Sequence, residues 1–323
     1  MCLLVFFKSC ALLAILAARA MCFKFHCQVT ECYVSSLIPE LEGIYVLSYI
    51  PQTIKKLTFD NLRMDSVGPY VLYKVPATVQ TLTIISSPAM KHLHIPSNLS
   101  SSEMYITRTG INSIHFEENI SLNTVIISPC GLEQLPFTLG NLKKLAFFRI
   151  SNSQIQVLYI QQLRLAKNVE RLMVVRSRIH SIIIDSPERC CDRLDELDLQ
   201  KNLLTSIDFA TFDPLHRLRV LILADNSIEM LVGSPSNSAL EYLVLTNNHI
   251  KHIAFCGWNP LPSLISVNLK NNRLAKEPSC LENLSTNATV YVTLYGGTME
   301  KFVELKNRSQ SKLRFCLTFF PCE

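Results

Sequence analysis

Four stretches of the chain carry one spacing of apolar positions. Leu194-x-x-Leu197-x-Leu199-x-x-Asn202-x-Leu204 is followed by Leu218-x-x-Leu221-x-Leu223-x-x-Asn226-x-Ile228, then by Leu240-x-x-Leu243-x-Leu245-x-x-Asn248-x-Ile250 and Leu264-x-x-Val267-x-Leu269-x-x-Asn272-x-Leu274. Residues two apart in an extended chain point to one side, so Leu197 and Leu199 go inward while Asp198 faces the other way. The spacing predicts a short strand with one buried and one open face in every unit. An asparagine amide both donates and accepts, so at its fixed place it can bond the backbone of the adjoining turn and leave no group unpaired there. No unit can bury its apolar side alone, and neighbours must stack into a parallel sheet.

This spacing is the leucine-rich repeat signature. The predicted class is α/β: a leucine-rich repeat solenoid with a parallel sheet on its concave face, a mostly irregular or short-helical convex side, and disulfide caps. Upstream the pattern continues in weaker form through Ile54-x-x-Leu57-x-Phe59, Val79-x-x-Leu82-x-Ile84, Met104-x-Ile106, Leu122-x-x-Val125-x-Ile127, Leu145-x-x-Phe148-x-Ile150 and Val169-x-x-Leu172-x-Val174. The asparagine place holds Leu62, Ser87, Thr109, Cys130, Ser153 and Ser177 there. About ten repeats result, with Val292-x-Leu294 as a degenerate eleventh strand and Gly296-Gly297 as a turn into Met299 to Leu305. The expected organisation is a signal peptide at 1–20, an N-terminal cysteine cap at 21–53, repeats over 54–280, and a last degenerate repeat with its cap at 281–323. Roughly ten strands at about 4.8 Å give a sheet about 45–50 Å long, a surface suited to a protein partner.

The apolar run Leu3 to Ala18, ending in Ala18-Arg19-Ala20, has the form of a secretory signal with a small-x-small cleavage site. Cleavage there would remove Lys8 and Arg19 and no acid, taking the net charge from +5 to +3. That is too mild a balance to argue for nucleic acid. Five N-x-S/T acceptors, at Asn98, Asn119, Asn283, Asn287 and Asn307, agree with the secretory route. The apolar run Leu313 to Phe320 is broken by Arg314 and too short to span a bilayer. A secreted, extracellular glycoprotein without a membrane span is the expectation.

Cysteines sit where a solenoid needs its ends closed. Cys27 and Cys32, five residues apart, suggest a pinned N-terminal cap strand. Cys256 and Cys280 are separated by 24 residues, as are Leu245 and Leu269, so they occupy equivalent places in adjacent coils within disulfide reach. Cys316 and Cys322 are candidates for a small terminal loop. Cys130, at an asparagine place, reads as a buried thiol, which leaves an odd number of cysteines to pair. At least one of Cys22, Cys190 and Cys191 is therefore a candidate for a free thiol or a bridge to another chain, the alternative being internal pairing that the spacing does not reveal.

No catalytic constellation, phosphate loop or cofactor motif is present, and a non-enzymatic role is expected. His92-x-His94 is the one histidine pair at ligand spacing; with no carboxylate or cysteine partner evident, a solvated loop is expected there rather than a metal site. Binding chemistry should lie on concave side chains. Val220, Ile222, Tyr242 and Val244 would form an apolar block across two strands. Arg149, Arg171 and Arg176, with Met173 among them and Lys201 nearby, would form a basic stripe for an acidic partner or sulfated glycan.

With its signal sequence, short cap at Cys27 and Cys32, repeats and adjacent Cys190-Cys191, the chain resembles the secreted leucine-rich immune proteins of mosquitoes, in a short form. The resemblance implies a humoral innate-immune recognition or adaptor factor. It further implies disulfide-linked partnership with another leucine-rich repeat chain, and binding of a complement-like thioester protein. In that family the double cysteine generally follows the repeats, whereas here it interrupts them. Other readings are an extracellular matrix or adhesion protein, and a Toll-like receptor ectodomain fragment.

Overall fold

The structure, a computed structural model, describes residues 23–39, 43–119, 121–184, 188–296 and 299–306. The expected leader at 1–20, together with Cys22, Asn307, Cys316 and Cys322, lies outside the described residues. The chain divides into two compact units, one ending at Gly131 and the other starting at Leu132.

In the first unit, Lys24–Cys27 runs antiparallel to Glu31–Ser35, and a disulfide joins Cys27 to Cys32 across that hairpin. Glu31–Ser35 then pairs in parallel with Lys56–Asp60, followed in order by Thr81–Ile85, Glu103–Thr107 and Thr124–Ser128. The register lines up Cys32, Leu57, Leu82, Met104 and Val125, all fully buried. The alternating inward positions that the sequence predicts thus become one continuous core row.

In the second unit the parallel order is Phe147–Ser151, Arg171–Val175, Glu196–Asp198, Val220–Ile222, Tyr242–Val244, Ser266–Leu274 and Thr289–Gly296. Met299–Lys306 closes it antiparallel, with Gly296 opposite Met299. Phe148, Leu172, Leu197, Leu221, Leu243 and Val267 share one buried row. The last strand departs from the expected register. Val290 and Val292, rather than Val292 and Leu294, stand beside Val267 and Leu269, because the coil reaches its strand two residues sooner.

Asparagine does the work the sequence assigns to it. The Asn226 Nδ2 donates to Leu199 O, Leu223 O and Ala224 O, each at 3.1 Å, and its Oδ1 accepts from the Leu204 N–H. Asn202, Asn248 and Asn272 bond in the same manner, each spanning its own turn and the coil beside it. Where serine replaces asparagine the shorter side chain keeps part of the role: Ser87 Oγ accepts from Leu62 N–H and donates to Ile85 O. The residue just before this place takes the left-handed conformation in coil after coil, at Asn61, Ser86, Arg108, Asn152, Arg176, Lys201, Asp225, Asn247 and Asn271. That turn brings the chain off the strand and places the next side chain inward.

The opposite side is more regular than expected. Ser66–Val67, His92–Ile95 and Ser113–Phe116 form a small parallel sheet, and the pairs Val157–Tyr159 with Ser181–Ile183 and Ser206–Asp208 with Met230–Val232 form two more. Among the described residues helix is confined to short turns, mostly 3-10. Ile207, Phe209, Phe212 and Leu215 are buried behind the second unit's sheet, where Trp258 packs edge-on against Phe209 and Phe255.

Three sequence expectations are corrected. Cys190 and Cys191 are bonded to each other and nearly buried, so neither is presented for a bridge to another chain. His92 and His94 lie on a strand rather than a solvated loop, and His94 has a carboxylate partner, Glu117, at 2.9 Å. Asn119 is fully buried; its Nδ2 donates to Pro96 O, Ser97 O and Leu99 O, and its Oδ1 accepts from Ser121 and Leu122 N–H groups. The folded chain leaves no room for a glycan there. The predicted Cys256–Cys280 disulfide is present, and Cys130 is a buried thiol.

Candidate functional site

Side chains between the buried pairs stand on the solvent side of the sheet, and strand register decides their neighbours. In the second unit one row runs Phe147, Arg171, Glu196, Val220, Tyr242, and the next runs Arg149, Met173, Asp198, Ile222, Val244. Val220 faces Tyr242 and Ile222 faces Val244, so the four expected apolar residues do form one block. Tyr242 is 38% exposed and the other three are half-buried.

The residue preceding each strand builds a rim. Arg219 donates from Nε and Nη2 to the two carboxylate oxygens of Glu241, both at 2.9 Å, and from Nη1 to Asp195 Oδ1 at 3.1 Å. These bonds, first from Glu241 and then from Asp195, raise the Arg219 guanidinium above its usual range, and the same contact pulls the Glu241 carboxyl down. A bidentate pair flanked by a second carboxylate fixes the rim's geometry.

The expected basic stripe is divided. Arg149 and Arg171 stand on the face, with the Arg171 guanidinium 4.8 Å over the Phe147 ring and Met173 paired to Arg149 across the strands. Arg176 and Lys201 belong instead to the left-handed turns at the strands' far ends, exposed and off the face. Between the arginines and the apolar block stands Glu196–Asp198. Burial raises the Asp198 carboxyl, against the hydrogen bonds it accepts from Gln200 N–H and Nε2 and the charge of Arg149. Glu196 is raised by burial too, while Arg171 beside it acts in the opposite sense. The face is therefore a sequence of cation, carboxylate and apolar surface.

Of the glycosylation candidates, Asn98 and Asn287 are exposed, whereas Asn283 is exposed with its Nδ2 donating to Phe255 O and Cys256 O. Among the described residues no group of three or more histidine, cysteine, aspartate or glutamate side chains is arranged to hold a metal ion. No described helix is long and apolar enough to cross a membrane.

Residues 167–228 match the family described as Leucine rich repeat. The fold is a leucine-rich repeat fold. A leucine-rich repeat protein of Leptospira interrogans shares it with a TM-score of 0.54 at 14% identity, over 83% of this chain and 72% of that one. An internalin, InlF, from Listeria monocytogenes aligns with a TM-score of 0.42 at 16% identity, over 78% of this chain and 86% of that one. A chain of the mosquito LRIM1/APL1C complex aligns with a TM-score of 0.33 at 14% identity, over 82% of this chain and 62% of that one. No curated protein sequence matches. Leucine-rich repeat proteins bind protein partners on their extended sheet surfaces.

Two groups escape a reading of the repeat alone. Asn237, three residues before Leu240, is buried and caps Leu215 O and Leu218 O, as Asn119 does before Leu122. An asparagine three residues ahead of the first apolar position is the signal for both. The pairing of Arg219 with Glu241 and Asp195 has no local sequence signal, because its partners are 22 and 24 residues away.

Proposed function

We propose that this chain is a secreted, non-catalytic protein-binding factor of humoral innate immunity, acting in recognition or as an adaptor. Its partner would dock on the open sheet face of the second unit. The observation that carries the reading is the apolar block of Val220, Ile222, Tyr242 and Val244, four side chains in register on two neighbouring strands and left partly in water. Apolar anchors inside a fixed polar rim are where binding energy concentrates at protein interfaces. Arg149, Arg171 and Met173 would extend the contact on one side. The resemblance to mosquito immune proteins suggests the partner classes, another leucine-rich repeat chain or a complement-like thioester protein.

The test is affinity capture from body fluid by the wild-type chain and by Ile222→Asp with Tyr242→Asp. A partner retained by the wild type and reduced at least tenfold by the double variant is expected. The same partners recovered equally by both proteins would exclude this face.

A further inference from the structure

The first unit presents a different chemistry on its open face. Two of its strands carry the same triplet, Glu31-Cys32-Tyr33 and Glu103-Met104-Tyr105, with the middle residue in the core and the outer two in front of the sheet. In each triplet the tyrosine hydroxyl donates to the glutamate two residues earlier: Tyr33 to Glu31 Oε2 at 3.4 Å and Tyr105 to Glu103 Oε2 at 3.2 Å. Of the two strands between them, Lys56–Asp60 puts the buried Thr58 beside Tyr33, and Thr81–Ile85 places Thr83 beside Tyr105 and Thr81 beside Glu103, with Thr81 Oγ1 donating to the same Glu103 oxygen at 3.3 Å. Tyr33 is 40% exposed, while Tyr105, Thr81 and Thr83 are half-buried.

This is an amphipathic surface of a particular kind. Tyrosine rings, with only two side-chain torsions, offer rigid apolar area at low entropic cost. Carboxylates accept several hydrogen bonds each, and only part of Glu103's capacity is used by Tyr105 and Thr81. A hexose ring has the matching character, with apolar C–H groups on its faces and donor hydroxyls around its edge. The charge on these four strands narrows the class. Glu31, Asp60 and Glu103 stand against Lys56, itself within 3.6 Å of Glu31, and against Lys24 on the adjoining strand, so the excess charge is negative and disfavours sulfated or carboxylated polymers.

We propose that the open face of the first unit is a glycan-binding site for a neutral oligosaccharide laid across the strands. Tyr33 and Tyr105 are three strand spacings apart, about 14–15 Å, a span matching roughly three to four linked pyranose rings. The glycan's outer rings pack on the two tyrosines, with Glu31 and Glu103 accepting its hydroxyls and Thr81 and Thr83 contacting its middle. The site is separate from the apolar block of the second unit and does not depend on it.

Calorimetric titration of the full chain with chito-, cello- and malto-oligosaccharides of two to six rings tests the proposal. At least one series should bind, gaining affinity up to about four rings and little beyond, as the span requires. Tyr33→Ala and Tyr105→Ala should each weaken that binding at least tenfold, and Glu103→Gln severalfold, with unchanged thermal melts reporting an intact fold. Ile222→Asp with Tyr242→Asp should leave it unaltered. The assignment is overturned by absence of binding to every neutral series at millimolar concentration, or by affinity indifferent to both tyrosines. Tighter binding of a heparin-type sulfated oligosaccharide or a lysine-rich peptide would overturn it as well.

Discussion

A single amide in each later coil satisfies groups that no backbone partner can reach. Asn226 bonds three carbonyls and one N–H, drawn from its own turn and from the coil before it. Asn226→Ala would strand buried polar groups, each costing about 1–3 kcal/mol, so a loss of roughly 3 kcal/mol in urea unfolding is expected. Asn226→Ser, which keeps a donor and an acceptor, should lose less; equal losses would mean that packing and not bonding is responsible. Asp198 poses the opposite case, a carboxylate whose burial raises it. The folded chain then holds a proton more readily than the unfolded one, and stability falls as pH rises from the ordinary aspartate range through the raised folded value. Asp198→Asn should accordingly raise the melting temperature at pH 7 and lose that advantage at pH 3, below both values. An advantage of the same size at both pH values would remove burial as the cause.

Strands were legible in proportion to how fully the core and turn positions were both marked. From Leu194 to Leu274 leucine and asparagine mark them together, and the observed register agrees. Upstream, Ser87, Ser153 and Ser177 stand in for asparagine and bond over shorter reach, so the turn signal fades while the alternation of buried and open residues persists. The short ladders behind the sheet were not legible. Ser206–Asp208 and Met230–Val232 have three residues each, too few for a period, and they pair because the stacked coils bring them side by side. On the open face of the second unit the apolar block could be read from alternation alone, whereas the place of the carboxylates between it and the arginines came only from cross-strand register. Equivalence between coils also located Cys256 and Cys280. Closing a 24-residue separation restrains the unfolded chain by about 3 kcal/mol, so Cys256→Ser with Cys280→Ser should lower stability by that order. Hydrogen exchange should show the added opening concentrated in 250–296; uniform acceleration over the second unit would argue against a local clamp.

At the scale of the whole molecule, the placement of the cysteines bears on association. Ten cysteines follow residue 20; six are joined as Cys27–Cys32, Cys190–Cys191 and Cys256–Cys280, and Cys130 is a buried thiol. Cys22, Cys316 and Cys322 lie outside the described residues. The adjacent pair is not the source of a bridge to a second molecule, since each sulfur already has its partner and little surface. If two copies of the chain become disulfide-linked, non-reducing electrophoresis should show the same proportion of dimer in wild type and in Cys190→Ser with Cys191→Ser. Disappearance of the dimer in the Cys190, Cys191 variant would return the bridging role to those two residues and refute their mutual bond.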